Sequence, residues 1–154
     1  MTVLENINYR TRGVIGPAEQ DYWEILNEEL PGMFTIDKLL KKKPAELSGG
    51  EARRVSLVRA MMARSKRLLL LDEPFSGLDS ELRTSVVSGL AAWQEIHGVP
   101  ILLVTHDIAE TYQLGAEVVK IADGKVVAQG PVDVVLAEER ARLLKQLQSH
   151  EPQL

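Results

Sequence analysis

Residues 68–74, Leu-Leu-Leu-Leu-Asp-Glu-Pro, decide the fold of this chain. The leucines form a continuous apolar run rather than alternating with polar residues, which predicts a parallel strand buried on both faces. Pro74 ends the strand because it has no backbone N–H for the ladder. Asp72 and Glu73 therefore lie at the carboxyl end of a strand, the edge at which open α/β sheets bind ligands. Two adjacent carboxylates there suit a Mg²⁺-nucleotide site, and the alternative is a pair of solvated charges.

A glycine turn, Leu-Ser-Gly-Gly-Glu at residues 47–51, precedes this strand. Ser48 offers a hydroxyl, while Gly49 and Gly50 have no Cβ that would keep an anion from the backbone N–H groups. The apolar spacing that follows predicts a helix from Gly50 to about Arg64, whose dipole adds partial positive charge at the turn. Alone, such a glycine pair favours an ordinary helix start. Beside the carboxylate strand, it predicts an anion site.

The residues after the leucine run predict a strand–helix–strand unit. Apolar side chains recur at helical spacing over residues 82–93, and Gly98 suits the C-cap of that helix. Residues 99–105 form a second apolar run and predict another buried strand. Two parallel strands joined through a helix form a right-handed βαβ unit, so the predicted fold class is α/β.

The two ends of the chain predict smaller elements. Downstream, Asp107 can cap a short helix, Asp123-Gly124 predicts a two-residue hairpin turn, and the charged tail from Val132 predicts a helix.

Upstream, Thr2 can cap a first helical turn. Pro17 can begin a helix that Pro31-Gly32 ends, and a third helix is predicted over residues 36–42.

Composition excludes several classes of function. The chain has 154 residues, 45% of them hydrophobic, which is typical of one soluble globular domain. A net charge of −4 argues against a dedicated nucleic-acid-binding protein. There are no cysteines, so disulfides and thiolate metal sites are excluded. Every apolar run is far shorter than the ~18 residues of a membrane span, so no direct membrane insertion is expected.

Five stretches, in this order and spacing, resemble the ATPase domain of ATP-binding cassette (ABC) proteins. The glycine turn resembles the signature motif, residues 68–79 resemble the Walker B strand and D-loop, and residues 101–107 resemble the histidine-loop strand. Residues 2–10 resemble the segment after the glutamine loop of importer subunits, and residues 121–136 resemble the terminal hairpin and helix. No Gly-x-x-x-x-Gly-Lys-Ser/Thr phosphate loop occurs among the 154 residues.

The resemblance implies a P-loop NTPase-like fold, with a partial parallel sheet and a helical subdomain but without the N-terminal lobe. Residues 1–46 would form the helical (signature) subdomain. Residues 47–136 would carry the signature helix, the Walker B, D-loop and histidine-loop core, and the terminal hairpin. Residues 137–154 would be a C-terminal helical tail. Because nothing here wraps the α- and β-phosphates, we expect the chain alone to be inactive as an ATPase.

The resemblance also implies roles for residues of the chain's own nucleotide site. Asp72 would hold Mg²⁺, largely through water, and Glu73 would act as general base toward the attacking water. His106 would contact the γ-phosphate as the switch histidine. Arg53 stands where relatives usually carry glutamine, a change expected to tune the site rather than abolish it.

A second group of residues would face a partner. In the family, the signature motif contacts the γ-phosphate of ATP held by the other subunit of a dimer, and the D-loop reaches across the interface. The corresponding residues here are Ser48, Gly49, Gly50, Glu51 and Asp79. Asp79 can also cap the helix that follows it.

The function implied is that of an ATP-binding and ATP-hydrolysing subunit of an ABC importer, with ATP and Mg²⁺ as cofactors. Its partners would be a second ATPase subunit and transmembrane permease subunits, and it would be cytoplasmic, peripheral on the inner face of the cell membrane. Oxyanion (molybdate-like) or thiamine-type systems are the most similar. The alternative is a non-catalytic module that supplies its signature motif to a full-length partner.

Overall fold

The computed structural model describes residues 1–11, 29–63, 68–115 and 117–148. Its helices and strands in chain order are α1 (Val3–Ile7), α2 (Gly49–Met61), β1 (Leu69–Asp72), α3 (Ser80–His97), β2 (Ile101–Val104), α4 (Ile108–Leu114), β3 (Glu117–Ala122), β4 (Lys125–Pro131), α5 (Val132–Val135) and α6 (Ala137–Gln148). Short 3₁₀ turns cover Asn8–Thr11, Asp37–Leu39 and Pro44–Glu46. Two compact units, Met1–Val104 and Thr105–Leu154, contain these elements.

In the first unit, β1 and β2 pair in parallel, from Leu69 opposite Ile101 to Asp72 opposite Val104. The helix α3 connects the two strands, so the predicted βαβ arrangement is confirmed. Because both strands end at the same level, the carboxyl edge of the sheet carries Asp72. The backbone N–H of Glu73 extends the ladder by donating to the Val104 carbonyl at 2.9 Å.

The prediction that these strands are buried on both faces is wrong. Leu69 and Leu71 are 5% and 8% exposed, whereas Leu70 is 65% and Leu102 is 57% exposed. Side chains alternate between the faces of a strand, so one sheet face packs into the unit and the other, which also includes Val104, lies open. A continuous apolar run therefore indicates that both faces of the strand are apolar. The second face is buried only where another layer of structure packs on it.

The helix α3 supplies much of the core of the first unit. Its helical spacing is confirmed: Val86, Leu90 and Trp93 are at most 1% exposed. The Asp79 carboxylate caps the helix by accepting from the Leu82 N–H at 2.9 Å. The helix ends at Gly98 in the left-handed conformation, as its C-cap position predicts.

The segment before the glycine turn departs from two predictions. Residues 29–33 are helical, so Pro31-Gly32 does not end that helix, and its predicted start at Pro17 lies outside the described residues. The helix predicted over 36–42 is only a 3₁₀ turn, Asp37–Leu39. Pro44 has no N–H to donate to the carbonyl of Leu40, which a longer helix would require.

That carbonyl is used by α1 instead. The Leu4 N–H donates to the Leu40 carbonyl at 3.1 Å, and the Val3 N–H donates to the Lys42 carbonyl at 2.9 Å. The predicted cap at Thr2 is confirmed, because its side chain and that of Glu5 form a reciprocal capping box. The first turn of the chain is therefore fastened to the segment that leads into the glycine turn.

The second unit contains the predicted hairpin. The strands β3 and β4 are antiparallel, and Asp123 and Gly124 between them have φ values of 49° and 72°. Two consecutive positive φ angles define a type I′ turn, for which Asp-Gly is suited because glycine adopts them without a steric penalty. The described strands form two separate two-stranded sheets, so the hairpin has no ladder with β1 and β2.

The tail is helical, as predicted, and consists of two helices. The break falls at Leu136, between α5 and α6. The Lys120 ammonium on β3 pairs with the Glu139 carboxylate on α6 and lowers the pKa of that carboxyl. This pair fixes the start of α6 against the hairpin.

Candidate functional site

The glycine turn forms the N-terminus of α2. Ser48 is the N-cap: its hydroxyl accepts from the Glu51 N–H at 3.3 Å, and the Ser48 N–H donates to the Glu51 carboxylate at 2.8 Å. The helix begins at Gly49, one residue earlier than predicted, and ends at Met61, while Arg64 lies outside the described residues. The turn is therefore rigid, and the dipole of a 13-residue helix points its positive end toward it.

Glu51 links the turn to the segment before it. The Lys42 ammonium lies 3.0 Å from the second carboxylate oxygen of Glu51. The hydrogen bond from the Ser48 N–H and the hydrogen bond from Lys42 together lower the pKa of Glu51 to about 2. Glu51 is thus ionised at neutral pH, and within the turn its carboxylate serves the capping box.

We expect the contribution of Glu51 to stability to disappear in acid. Its pKa is lowered from 4.5 to about 2 on folding, so its charge stabilises the fold above pH 4.5 and loses this effect as the pH falls toward 2. Urea unfolding should show a difference in the free energy of unfolding between wild type and Glu51→Gln that is constant at neutral pH. This difference should vanish as the pH falls from 4.5 toward 2. Glu81→Gln, in the first turn of α3, is the control for charge. If the free energies of unfolding of wild type and Glu51→Gln still differed by the same amount at pH 2, the ionised carboxylate of Glu51 would not be the source of the stabilisation.

The glycine turn contacts the loop that follows β1. A Cβ built on Gly50 would lie 3.4 Å from both the Gly77 carbonyl oxygen and the Leu78 side chain, whereas one on Gly49 would meet nothing within 4 Å. A side chain at Gly50 would therefore pack in van der Waals contact with that loop, and the open side of the turn at Gly49 leaves room for a ligand. The glycine turn therefore lies next to Gly77 and Leu78, which belong to the segment that resembles the D-loop.

Arg53 and Arg83, which the sequence analysis did not place in the site, hold the loop after β1. The Arg53 guanidinium donates from Nη1 to the carbonyls of Glu73 at 2.9 Å and Ser76 at 3.2 Å. Arg83 donates from Nη2 to the Leu78 carbonyl at 3.1 Å. Arg53 was noted only as a departure from the family pattern, and no periodicity in the sequence indicates which carbonyls an arginine will reach.

The carboxylates at the sheet edge differ in environment. Asp72 is exposed, while Glu73 is half-buried with a left-handed backbone at φ 45°. Among the described residues, no group of three or more His, Cys, Asp or Glu side chains could hold a metal ion. Mg²⁺ usually keeps several waters and takes one or two carboxylates plus nucleotide phosphates. One exposed carboxylate, that of Asp72, beside a second is compatible with that shared coordination.

His106 belongs to the second unit and lies in a tightly bonded turn. The Thr105 hydroxyl donates to the buried Glu110 carboxylate at 2.5 Å and accepts from the Asp107 N–H at 3.0 Å. The Asp107 carboxylate accepts from the Ala109 N–H at 2.8 Å, which confirms the predicted cap of α4. The exposed His106 therefore stands on a turn whose two flanking residues are both fixed. Glu110 was missed because a single glutamate in a short helix has no sequence pattern that indicates burial.

Comparisons with known proteins agree with this arrangement. The family described as ABC transporter matches residues 1–76. The chain is 37% identical to the molybdenum import ATP-binding protein ModC of Rhodospirillum rubrum, over 89% of this chain and 36% of that protein. It is 47% identical to the Fe(3+) ions import ATP-binding protein FbpC of Mesorhizobium japonicum, over 70% of this chain and 30% of that protein.

A solved structure gives the same result. The chain superposes on a dimeric ATP-binding cassette in a post-hydrolysis state with ADP and phosphate, with a TM-score of 0.68 and 27% identity. The superposition covers 86% of this chain and 57% of that one. A glycine turn opening a helix, followed by a parallel strand with terminal carboxylates, is thus part of an ABC ATPase cassette.

The chain belongs to the family of ABC transporter ATP-binding subunits, of the importer type. It spans 36% and 30% of the lengths of the two curated relatives named above. In the part of the chain that the structure describes, no helix is both long and apolar enough to cross a membrane.

Proposed function

We propose that this chain is an ATP-binding and ATP-hydrolysing subunit of an ABC importer that contributes to ATP-driven solute uptake, and that it supplies the signature half of a composite ATP site to its partner. The observation that carries the proposal is the capped glycine turn, in which Ser48 and the open side of Gly49 stand at the positive end of α2. Such a turn binds an anion through backbone N–H groups and needs no conformational change to do so.

The Walker B residues support the importer ATPase assignment. Asp72 would hold Mg²⁺ that is shared with the nucleotide phosphates, and Glu73 would orient the attacking water and accept its proton. Bound Mg²⁺ would neutralise charge on the β- and γ-phosphates. No phosphate loop occurs in these 154 residues, so the groups that wrap the α- and β-phosphates must come from elsewhere.

The second candidate is a non-catalytic module that only completes the ATP site of a partner. The open side of the glycine turn at Gly49 favours this role. A chain of this kind can complete a partner's site through Ser48 and Asp79 even when its own site does not turn over. The molybdenum import relatives favour an oxyanion of the molybdate type as the solute of such a system. In an importer of this kind, the chain would act at the cytoplasmic face, against permease subunits.

A complementation assay tests this proposal. The partner is the Rhodospirillum rubrum molybdenum import ATP-binding protein with its own signature serine replaced by arginine, so that its homodimer lacks a working signature. Adding this chain should raise ATP hydrolysis by about tenfold or more, because the signature N–H groups stabilise developing charge. The chain with Ser48→Arg is the matched control and should give no rise. An unchanged rate with wild type, together with no association in light scattering, would refute the proposal.

A further inference from the structure

The backbone of Glu73 is held in an unfavourable conformation. Its φ of 45° lies in the left-handed region, which residues with a Cβ rarely adopt outside turns and functional sites. Such a conformation persists only when surrounding contacts determine it. On the amino side, the Glu73 N–H donates to the Val104 carbonyl at 2.9 Å and anchors the residue to the end of the sheet.

On the carboxyl side, Arg53 supplies the corresponding contact. The Glu73 carbonyl accepts from Arg53 Nη1 at 2.9 Å and, more weakly, from the Ser76 N–H at 3.3 Å. The same Nη1 also donates to the Ser76 carbonyl at 3.2 Å. One guanidinium group therefore bonds both ends of the turn that follows β1. A cationic donor makes such hydrogen bonds stronger than neutral ones.

Arg53 lies in the second turn of α2, the helix whose first turn is capped by Ser48. The contact of Gly50 with Gly77 and Leu78 joins the same two segments a short distance away. The glycine turn and Glu73 are therefore connected by a rigid helix and one arginine side chain. The hydrogen bonds of Arg53 therefore link the position of the turn after β1 to that of α2.

We infer that Arg53 is a positioning residue: it fixes the left-handed backbone of Glu73 and couples the position of Glu73 and the D-loop to the glycine turn. The inference rests on the proposed function for its catalytic consequence. Arg53 does not contact the reacting atoms. Once the backbone is fixed, the direction of the Cα–Cβ bond from which the Glu73 side chain extends is fixed as well, and reaction rates are sensitive to the placement of catalytic groups.

Amide hydrogen exchange on the full chain tests the contact directly. In Arg53→Ala, exchange over residues 73–78 should become about tenfold faster, while the amides of α3 keep their wild-type rates. Arg53→Lys should restore part of the protection because it keeps the charge and several N–H donors on one nitrogen. Arg59→Ala, on an exposed position of the same helix, is the matched control and should change neither region.

Two exchange results would overturn the inference. Unchanged exchange at residues 73–78 in Arg53→Ala would show that the contact does not hold the turn. An equal acceleration throughout the first unit, with no rescue by lysine, would show that Arg53 contributes only general stability.

The complementation assay adds a kinetic readout. With wild type active, Arg53→Ala should lower kcat by about tenfold and leave the KM for ATP unchanged, because the glycine turn and D-loop that face the partner's site lose their orientation while the partner's own groups still bind the nucleotide. A rise in KM at constant kcat would contradict positioning. If wild type itself fails to complement, the proposed function has failed, and the exchange experiment alone decides whether Arg53 holds the turn.

Discussion

Gly50→Asp is expected to abolish the hydrolysis that this chain restores to a partner lacking its own signature. The added carboxylate would stand at the positive end of α2, where the proposed γ-phosphate binds, and would repel it. Its Cβ would lie 3.4 Å from the Gly77 carbonyl oxygen and the Leu78 side chain, so the added side chain would be held beside the turn. Loss of aligned donors at a developing negative charge typically costs about 10²–10³ in rate, so activity should fall to background.

The control for this prediction is Ser56→Asp, which adds the same charge at an exposed position of α2 away from the turn. It should complement at close to the wild-type rate. Light scattering should be recorded for both variants because it measures association with the partner. It therefore separates a loss of dimer assembly from a loss of the chemical step. Activity of Gly50→Asp above about a tenth of wild type would contradict an anion site at this turn, given the size of the expected effect.

Trp93→Ala is expected to cost about 3–5 kcal/mol of folding free energy. The indole is 1% exposed, lies among the buried side chains of α3 and contacts the His97 ring in a tilted arrangement, with ring centroids 4.8 Å apart. Removing it leaves a cavity in a packed core that can collapse only in part. Because domains of this size have a total stability of about 5–15 kcal/mol, the variant should be close to unfolding at 25 °C.

Urea unfolding followed by circular dichroism measures this loss. Ile96→Ala, three residues further along α3 and 74% exposed, is the matched control and should change stability by no more than about 0.5 kcal/mol. Equal effects of the two substitutions would mean that Trp93 does not lie on the buried face of α3 and Ile96 on its exposed face.

The sequence predicted best the elements that local chemistry specifies. Asp79 and Asp107 cap the helices they precede because a carboxylate at a helix start satisfies free N–H groups, whatever packs around it. Asp123-Gly124 forms the hairpin turn because few other residue pairs adopt two positive φ angles. The order of the motifs predicted the family, and the pairing of β1 with β2 followed from their apolar runs.

Features that depend on distant residues could not be predicted in the same way. The length of the helix over 36–42 is limited by α1, which takes the carbonyls of Leu40 and Lys42. The exposure of Leu70 depends on whether another layer covers that face of the sheet. The contact of Arg53 with Glu73 joins residues that are 20 positions apart in the chain, and only the tertiary fold brings them together.

The parallel pairing of β1 with β2 also sets an order of events during synthesis. The second strand leaves the ribosome about 30 residues after the first, a delay of a few seconds at about 5–20 residues per second. During that interval α3 emerges and can form, because helices fold in microseconds or less, but the leucine strand still lacks its partner β2. Glu73 receives its sheet hydrogen bond only when Val104 arrives, so the candidate general base is among the last parts of the first unit to take its final shape.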